Sequence, residues 1–122
     1  MSIVHVVVDD EAIREGLCAM LGSVSIETRT YASAVEFLAV AAPGMQGCLV
    51  LDAHLPDVDG LELQKVLSQE GIHVPIIMIS ADGDVSMAVR AMKAGAVDFL
   101  LKPFSAQELL VGILAATKTG EG

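Results

Sequence analysis

Acidic side chains follow two of the most apolar segments of the chain. Residues 48–51 are uniformly apolar and run into Asp52, and residues 3–8 run into Asp9 and Asp10. A buried strand tolerates a carboxylate at its end only where a partner meets that carboxylate. A carboxylate is also a competent nucleophile, which can accept a phosphoryl group as an acyl phosphate. We therefore take these aspartates as the candidate reactive residues, with Asp52 as the acceptor.

Two further polar residues follow apolar runs, Ser80 after residues 76–79 and Lys102 after residues 97–101. If the four runs are parallel strands, their carboxyl ends share one sheet edge, and the aspartates converge with these two residues. Like charges about 4 Å apart repel by roughly 4 kcal/mol at an effective dielectric of about 20. A cation is therefore expected at this edge, and all-oxygen ligands favour Mg²⁺, with Mn²⁺ as an alternative.

The elements that must position these residues alternate between strands and amphipathic helices. The four apolar runs are typical of strands buried on both faces, whereas residues 25–30 alternate in polarity and are expected at a sheet edge. Between the strands, apolar residues recur with the helical period. Serine or aspartate caps predict the helix starts and glycines predict the helix ends, at Ser33, Asp59, Ser105, Gly22, Gly71 and Gly95. The alternation predicts an α/β fold with a parallel sheet.

Composition limits the class of function. The 122 residues predict one domain over residues 1–118, with residues 119–122 as a tail or the start of a linker. A net charge of −9 argues against direct binding of nucleic acid. Cys18 and Cys48 are expected to be buried free thiols. The absence of a long apolar stretch or a signal-peptide pattern predicts a cytoplasmic protein with no membrane contact.

Four motifs in order, "VVVDDE", "VLDAHLPDVDG", "MISA" and "FLLKPF", resemble the receiver domain of two-component response regulators. The stretch "GDVSMAVRAMKAGAVDFLLKPF" is similar to the FixJ subfamily. The resemblance covers nearly the whole chain. It implies a flavodoxin-like (βα)5 three-layer sandwich with a five-stranded parallel sheet of order 2-1-3-4-5.

The resemblance also implies roles for the residues at the acidic edge. Asp52 is the implied phosphoacceptor, Asp10 a direct metal ligand, and Asp9 a ligand acting through water. The backbone carbonyl of His54 completes the protein's share of the metal shell. From the residues alone, Asp9 or Asp10 could instead only cap the following helix.

Other implied roles concern the phosphoryl group and the switch. Lys102 and Ser80 are expected to bind the phosphoryl group, and Ser80 and Phe99 to act as switch residues. The Lys102–Pro103 peptide is expected to be cis. The residues alone also suggest that Ser80, as a donor, and Lys102, as a mobile positive charge, bind a phosphoryl group together with the metal. Alternatively, Lys102 is a structural ion-pair partner of the acids, and Phe99 is most simply a core aromatic.

The implied function is a phosphorylation-dependent switch. A partner histidine kinase supplies the phosphoryl group, and the domain catalyses only its own phosphorylation and dephosphorylation. The fourth helix, around Ala88, Ala91 and Ala94, and residues 97–101 form the expected surface for homodimerisation. Any contact with DNA is expected through a separate output domain. Two alternatives remain: a degenerate receiver that acts as a constitutive interaction module, and a Mg²⁺-dependent aspartyl phosphatase.

Four of the other polar residues lie close to the predicted site in sequence, and a fifth lies inside an apolar run. His54 and Asp82 are hypothesised to tune the lifetime of the acyl phosphate by orienting or excluding water. Asp57 and Asp59 are expected to serve as turn and cap residues. His5, inside an apolar run, is expected to be a hydrogen-bonded core residue.

Overall fold

Strands and helices alternate along the whole chain, as the hydrophobic pattern predicts. The computed structural model of the protein describes residues 3–81 and 85–121, with the backbone alone at residues 117–121. The strands are β1 (Ile3–Val7), β2 (Glu27–Tyr31), β3 (Cys48–Asp52), β4 (Ile76–Ser80) and β5 (Asp98–Leu101). The helices are α1 (Glu11–Ser23), α2 (Ala34–Leu38), α3 (Gly60–Gln69), α4 (Val85–Lys93) and α5 (Ala106–Glu121).

The five strands form one parallel sheet in the order β2-β1-β3-β4-β5. The predicted flavodoxin-like order is therefore confirmed, and β2, the strand with alternating polarity, lies at the edge. The chain leaves β1 first toward β2 and later returns to the other side of β1 with β3. In such a sheet, ligands bind at the carboxyl ends of the strands where the winding reverses. Here that place is the edge beside the ends of β1 and β3.

Helices cover both faces of the sheet, and a separate apolar core lies on each face. One core joins the sheet to α2, α3 and α4, through residues such as Phe37, Leu63 and Ala91. The other joins it to α1 and α5, through residues such as Leu21 and Ile113. Successive residues of β3 and β4 alternate between the two cores, which explains why these strands are apolar throughout. The structure is the predicted three-layer sandwich.

The helix ends agree with the prediction except at α1. Gly71 and Gly95 have φ values of 72° and 107° and lie two residues after the last residues of α3 and α4, as expected for glycines that end helices. The prediction for Gly22 is wrong, because α1 continues through it to Ser23. The left-handed position is taken by Ser25, with φ 63°, and the N–H of Ile26 closes the turn on the carbonyl of Leu21 at 2.9 Å.

The two cysteines have different environments. Cys48 is buried in β3, and burial raises the pKa of its thiol to about 12. The expectation for Cys18 is wrong, since this residue lies exposed on α1. Both thiols are free, as predicted.

Two further observations concern the whole chain. The helix α5 runs to Glu121, across the predicted domain boundary at residue 118, and that boundary remains a prediction. No helix within residues 3–81 and 85–121 combines the length and the apolar character needed to cross a membrane.

His5 is a hydrogen-bonded core residue, as expected. It is 6% exposed, its Nε2 lies 3.3 Å from the carbonyl of Gln46, and its Nδ1 lies 3.1 Å from the hydroxyl of Tyr31. Because a carbonyl only accepts, Nε2–H is the donor, and in the neutral ring Nδ1 accepts from Tyr31. Burial lowers the pKa of His5 below its ordinary value of 6.5, although the Gln46 carbonyl opposes the shift.

We therefore predict that His5 makes the protein less stable in mild acid. Below pH 6.5, the unfolded chain takes up a proton that the folded chain refuses until its lower pKa is reached, so the free energy of unfolding falls across that window. His5→Gln should flatten this dependence in urea unfolding curves measured from pH 7.5 to 5. Exposed His73 supplies the control variant His73→Gln, which should keep the wild-type slope. Equal slopes for wild type and His5→Gln would contradict the prediction.

Candidate functional site: the carboxyl ends of the strands

The carboxyl edge of the sheet brings the predicted site residues together from three strands. Asp52 is the last residue of β3 and pairs with Ile79 of β4, while Ser80 ends β4. Lys102 directly follows β5, and its N–H donates to the carbonyl of Ser80 at 2.8 Å. Because the strands are parallel, these residues share one edge. The predicted cis peptide between Lys102 and Pro103 is confirmed.

Asp52 is a buried carboxylate with a partner on each oxygen. Its Oδ2 lies 3.0 Å from Nζ of Lys102, and its Oδ1 accepts from the backbone N–H of His54 at 3.0 Å. The side chains are 6% exposed for Asp52 and 21% for Lys102. A buried charge without a partner is strongly unfavourable, and removing one partner of a buried pair leaves the other uncompensated. Lys102 therefore neutralises the carboxylate that the sequence singled out.

The acidic pair after β1 lies at the same edge, because Val7 pairs with Leu51 and the two strands are parallel. Both aspartates are exposed. Asp10 is the N-cap of α1, where its Oδ1 accepts from the N–H of Ile13 at 3.2 Å. Asp10 therefore caps a helix, which is the alternative role that its sequence position suggested. This contact does not test the predicted role of Asp10 as a metal ligand.

A convergence of three carboxylates is not observed. Within the described parts of the chain, no group of three or more His, Cys, Asp or Glu side chains is placed to hold a metal ion. Asp10 instead caps its own helix, and Lys102 takes the place of a cation beside Asp52. The donor set still fits Mg²⁺, which is commonly held by one or two carboxylates with waters and phosphate oxygens. The metal roles of Asp9, Asp10, Asp52 and the His54 carbonyl remain predictions.

The loop after β3, residues 53–59, is folded back on the end of the strand. The N–H of Gly60 donates to the carbonyl of Ala53 at 2.7 Å, and His54 and Asp59 form an isolated antiparallel bridge. Asp59 caps α3 by accepting from the N–H of Glu62 at 2.8 Å, as predicted. These bonds hold the backbone of His54 next to Asp52, while its side chain is exposed.

Asp57 has a role that the sequence did not indicate. Its carboxylate accepts from the N–H groups of Ala34 and Val35, at 3.2 and 3.0 Å, at the start of α2. Desolvation raises the pKa of Asp57, but backbone hydrogen bonds from Val35, Ala34, Asp57 and Val58 together outweigh that effect, and the pKa lies below its usual value. Asp57 lies more than 20 residues from the helix start that it caps, so no local spacing signal could have predicted this contact.

The two predicted switch residues lie on adjacent strands. Ser80 is fully buried at the end of β4, and Phe99 on β5 is half-buried against the core shared with α2, α3 and α4. The core position of Phe99 agrees with its simpler interpretation, and its switch role remains a prediction. Asp82, one of the two residues proposed to tune the phosphoryl lifetime, lies outside the described residues.

Gly60 allows the close approach on which this loop depends. A Cβ at this position would lie 2.8 Å from the Ala53 Cα, from the Asp52 carbonyl oxygen and from the Met78 sulfur. Two of these three atoms belong to backbone, which cannot yield cheaply. A side chain at Gly60 would therefore displace the segment that follows Asp52.

Gly60→Ala should lower the free energy of unfolding by about 1–3 kcal/mol, the usual effect of overpacking. Urea unfolding measures this change. The matched control is Gly16→Ala in α1, where a Cβ meets nothing within 4 Å. That variant should gain about 0.5–1 kcal/mol, because alanine is the better helix former. A Gly60→Ala protein as stable as wild type would contradict the steric argument.

Comparison with known proteins places this geometry in context. A family model described as the response regulator receiver domain matches residues 4–114. Nodulation protein W of Bradyrhizobium diazoefficiens is 49% identical over 117 residues, which cover 96% of this chain and 52% of that protein. The transcriptional regulatory protein FixJ of Azorhizobium caulinodans is 42% identical over 113 residues, 93% of this chain and 54% of that protein.

Solved structures give the same result. The crystal structure of FixJ-N has a TM-score of 0.90 at 42% identity and covers 97% of this chain and 94% of its own. The response regulator StyR has a TM-score of 0.93 at 44% identity, covering 98% of this chain and 61% of its own. The chain thus spans about half the length of the curated relatives it matches.

Proposed function

The chain belongs to the receiver domains of two-component response regulators, and on this premise we propose that it is a phosphorylation-dependent switch with Asp52 as phosphoacceptor. The observation that carries the proposal is the environment of Asp52. This carboxylate ends a buried strand, and each of its oxygens is oriented by one donor, Lys102 Nζ or the His54 N–H. A nucleophile held in this way needs little reorganisation before it reacts.

In the proposed reaction, a phosphohistidine of a partner kinase meets Asp52 in line. A P–O bond forms to one Asp52 oxygen as the P–N bond breaks, and the electron pair leaves with the imidazole nitrogen. Asp10, Asp52 and the His54 carbonyl would hold Mg²⁺, with Asp9 acting through water, and the bound ion would neutralise charge on the phosphoryl oxygens. Lys102, already within 3.0 Å of Asp52, would transfer its contact to the phosphoryl group.

In this proposal the protein accepts the phosphoryl group on one of its own side chains and does not act on a separate substrate. We propose that it catalyses only its own phosphorylation and dephosphorylation. His54, exposed beside Asp52, would influence water access to the acyl phosphate. Because the matched relatives are about twice as long as this chain, and one is named a transcriptional regulatory protein, DNA binding would reside in a separate output domain.

Asp52→Asn should abolish covalent phosphorylation, since an amide cannot form the acyl phosphate. Mass spectrometry after treatment with acetyl phosphate and Mg²⁺ should find one added phosphoryl group in the wild type, on Asp52. The matched control is Asp59→Asn, which keeps a good N-cap for α3 and should be phosphorylated like the wild type.

Two results would contradict this assignment. One is phosphorylation of Asp52→Asn at the wild-type level. The other is multiple turnover of small phosphomonoesters, which would identify an aspartyl phosphatase. Absence of any phosphorylation in the wild type would favour a constitutive interaction module.

The proposed output surface lies on α4 and β5. Exposed apolar side chains recur there at helical spacing and continue onto the strand, at Val85, Val89, Met92, Val97 and Leu101. The predicted surface needs correction at two positions, because Ala91 and Leu100 are buried in the cores, whereas the exposed apolar side chains of α4 are larger than alanine. Exposed apolar side chains grouped on one helix and the segment that follows it favour a protein partner. We propose that movement of Ser80 and Phe99 on phosphorylation changes this face and permits homodimerisation.

Val89→Glu should prevent phosphorylation-dependent dimerisation by placing a charge in the centre of this face. Sedimentation velocity with beryllofluoride and Mg²⁺ should show a dimer for the wild type and a monomer for Val89→Glu. The matched control is Val35→Glu on α2, where the wild-type valine is also exposed, and this variant should dimerise normally. A dimer formed by Val89→Glu as readily as by the wild type would exclude this interface.

A further inference from the structure

Arg14 holds the turn that carries the acidic pair. Its Nη1 donates to the carbonyls of Val8 and Asp9, each at 2.7 Å. Its backbone N–H donates to the carbonyl of Asp10 at 3.0 Å. One residue of α1 therefore binds three successive carbonyls of the segment that joins β1 to α1.

These contacts fix the backbone from which the Asp9 and Asp10 side chains project. Val8 is further held by its N–H, which donates to the carbonyl of Tyr31 at 3.2 Å. Beyond Val8, both aspartates are exposed, so packing contributes little to their placement. Hydrogen bonds from the guanidinium are charge-assisted and stronger than neutral ones.

Arg14 also brings a positive charge close to the acidic pair. This charge affects the binding of a cation in the opposite direction to the hydrogen bonds that order the turn. As a charge, the guanidinium repels a divalent ion. As a donor to two carbonyls, it orders the turn and reduces the reorganisation that ion binding requires. The two effects predict opposite changes in affinity when Arg14 is replaced, so a binding measurement separates them.

We propose that Arg14 is a positioning residue for the divalent-cation site of the receiver, acting through the Val8 and Asp9 carbonyls. The inference rests on the proposed function, because it assumes that Asp10 and Asp52 bind Mg²⁺. Outer residues that orient metal ligands typically contribute 10- to 100-fold to metal affinity. Removing the two side-chain hydrogen bonds should therefore weaken Mg²⁺ binding about tenfold or more.

The test compares Mg²⁺ dissociation constants, from isothermal calorimetry, in variants whose folding is checked by thermal melting. Arg14→Met keeps the aliphatic stem and removes the charge and the donors. Arg14→Lys keeps the charge and one donor group. Arg29→Met is the charge-matched control, because Arg29 lies exposed on β2 with Glu27 as its ion-pair partner at 3.0 Å.

The proposal predicts weaker binding by Arg14→Met, partial recovery in Arg14→Lys, and wild-type binding in Arg29→Met. Equal affinity of wild type and Arg14→Met, or tighter binding by Arg14→Met, would overturn it, even if the variant is less stable. If Arg14→Met does not fold, a dissociation constant for Arg14→Lys equal to that of the wild type has the same consequence. Failure of the wild type to bind Mg²⁺ would instead refute the proposed metal site and the inference together.

Discussion

The contact between Asp52 and Lys102 is the constraint on which the site depends. Fifty residues separate the two side chains in sequence, yet the fold places Oδ2 and Nζ 3.0 Å apart. The parallel sheet brings these two side chains together, because it aligns the end of β3 with the end of β5 through β4. Burial makes the pairing necessary, since an uncompensated carboxylate in that place would be strongly unfavourable. The fold therefore holds a buried carboxylate next to a lysine that neutralises its charge. In the proposed function, the phosphoryl group accepted by Asp52 would compete for this lysine.

Much of the architecture follows from short-range patterns. The apolar runs that became β1, β3 and β4 identify buried parallel strands, and Ser33, Asp59 and Ser105 mark helix starts because a cap is a local interaction. The cases that sequence could not predict depend on tertiary contacts. Gly22 looks like a helix end, yet α1 continues for one more residue and Ser25 adopts the left-handed conformation.

The site shows the same division. The location of Asp52, Ser80 and Lys102 at one edge of the sheet could be predicted, because each follows an apolar run and parallel strands end at a common edge. The cap formed by Asp57 on α2 joins segments more than 20 residues apart, whose contact depends on the fold. The hydrogen bonds from Arg14 to the Val8 and Asp9 carbonyls are local, but they depend on how the turn between β1 and α1 is folded. The sequence left open whether Asp10 would cap its own helix and whether Lys102 would pair with the acids, and the structure shows both contacts.

Coupling between the site and the α4 surface requires elements that connect them. Ser80 leads out of β4 toward α4, and buried Gln64 of α3 donates to the Ala91 carbonyl of α4 at 3.0 Å. A switch needs contacts that differ between its two states. A nuclear magnetic resonance titration with beryllofluoride and Mg²⁺, following the backbone amides, measures the proposed coupling directly. The His54 amide, which donates to Asp52, should shift together with amides of α4 and β5, and Asp52→Asn should show neither change. A shift of the His54 amide with no change in α4 and β5, or no shift at all in the wild type, would contradict the proposed coupling.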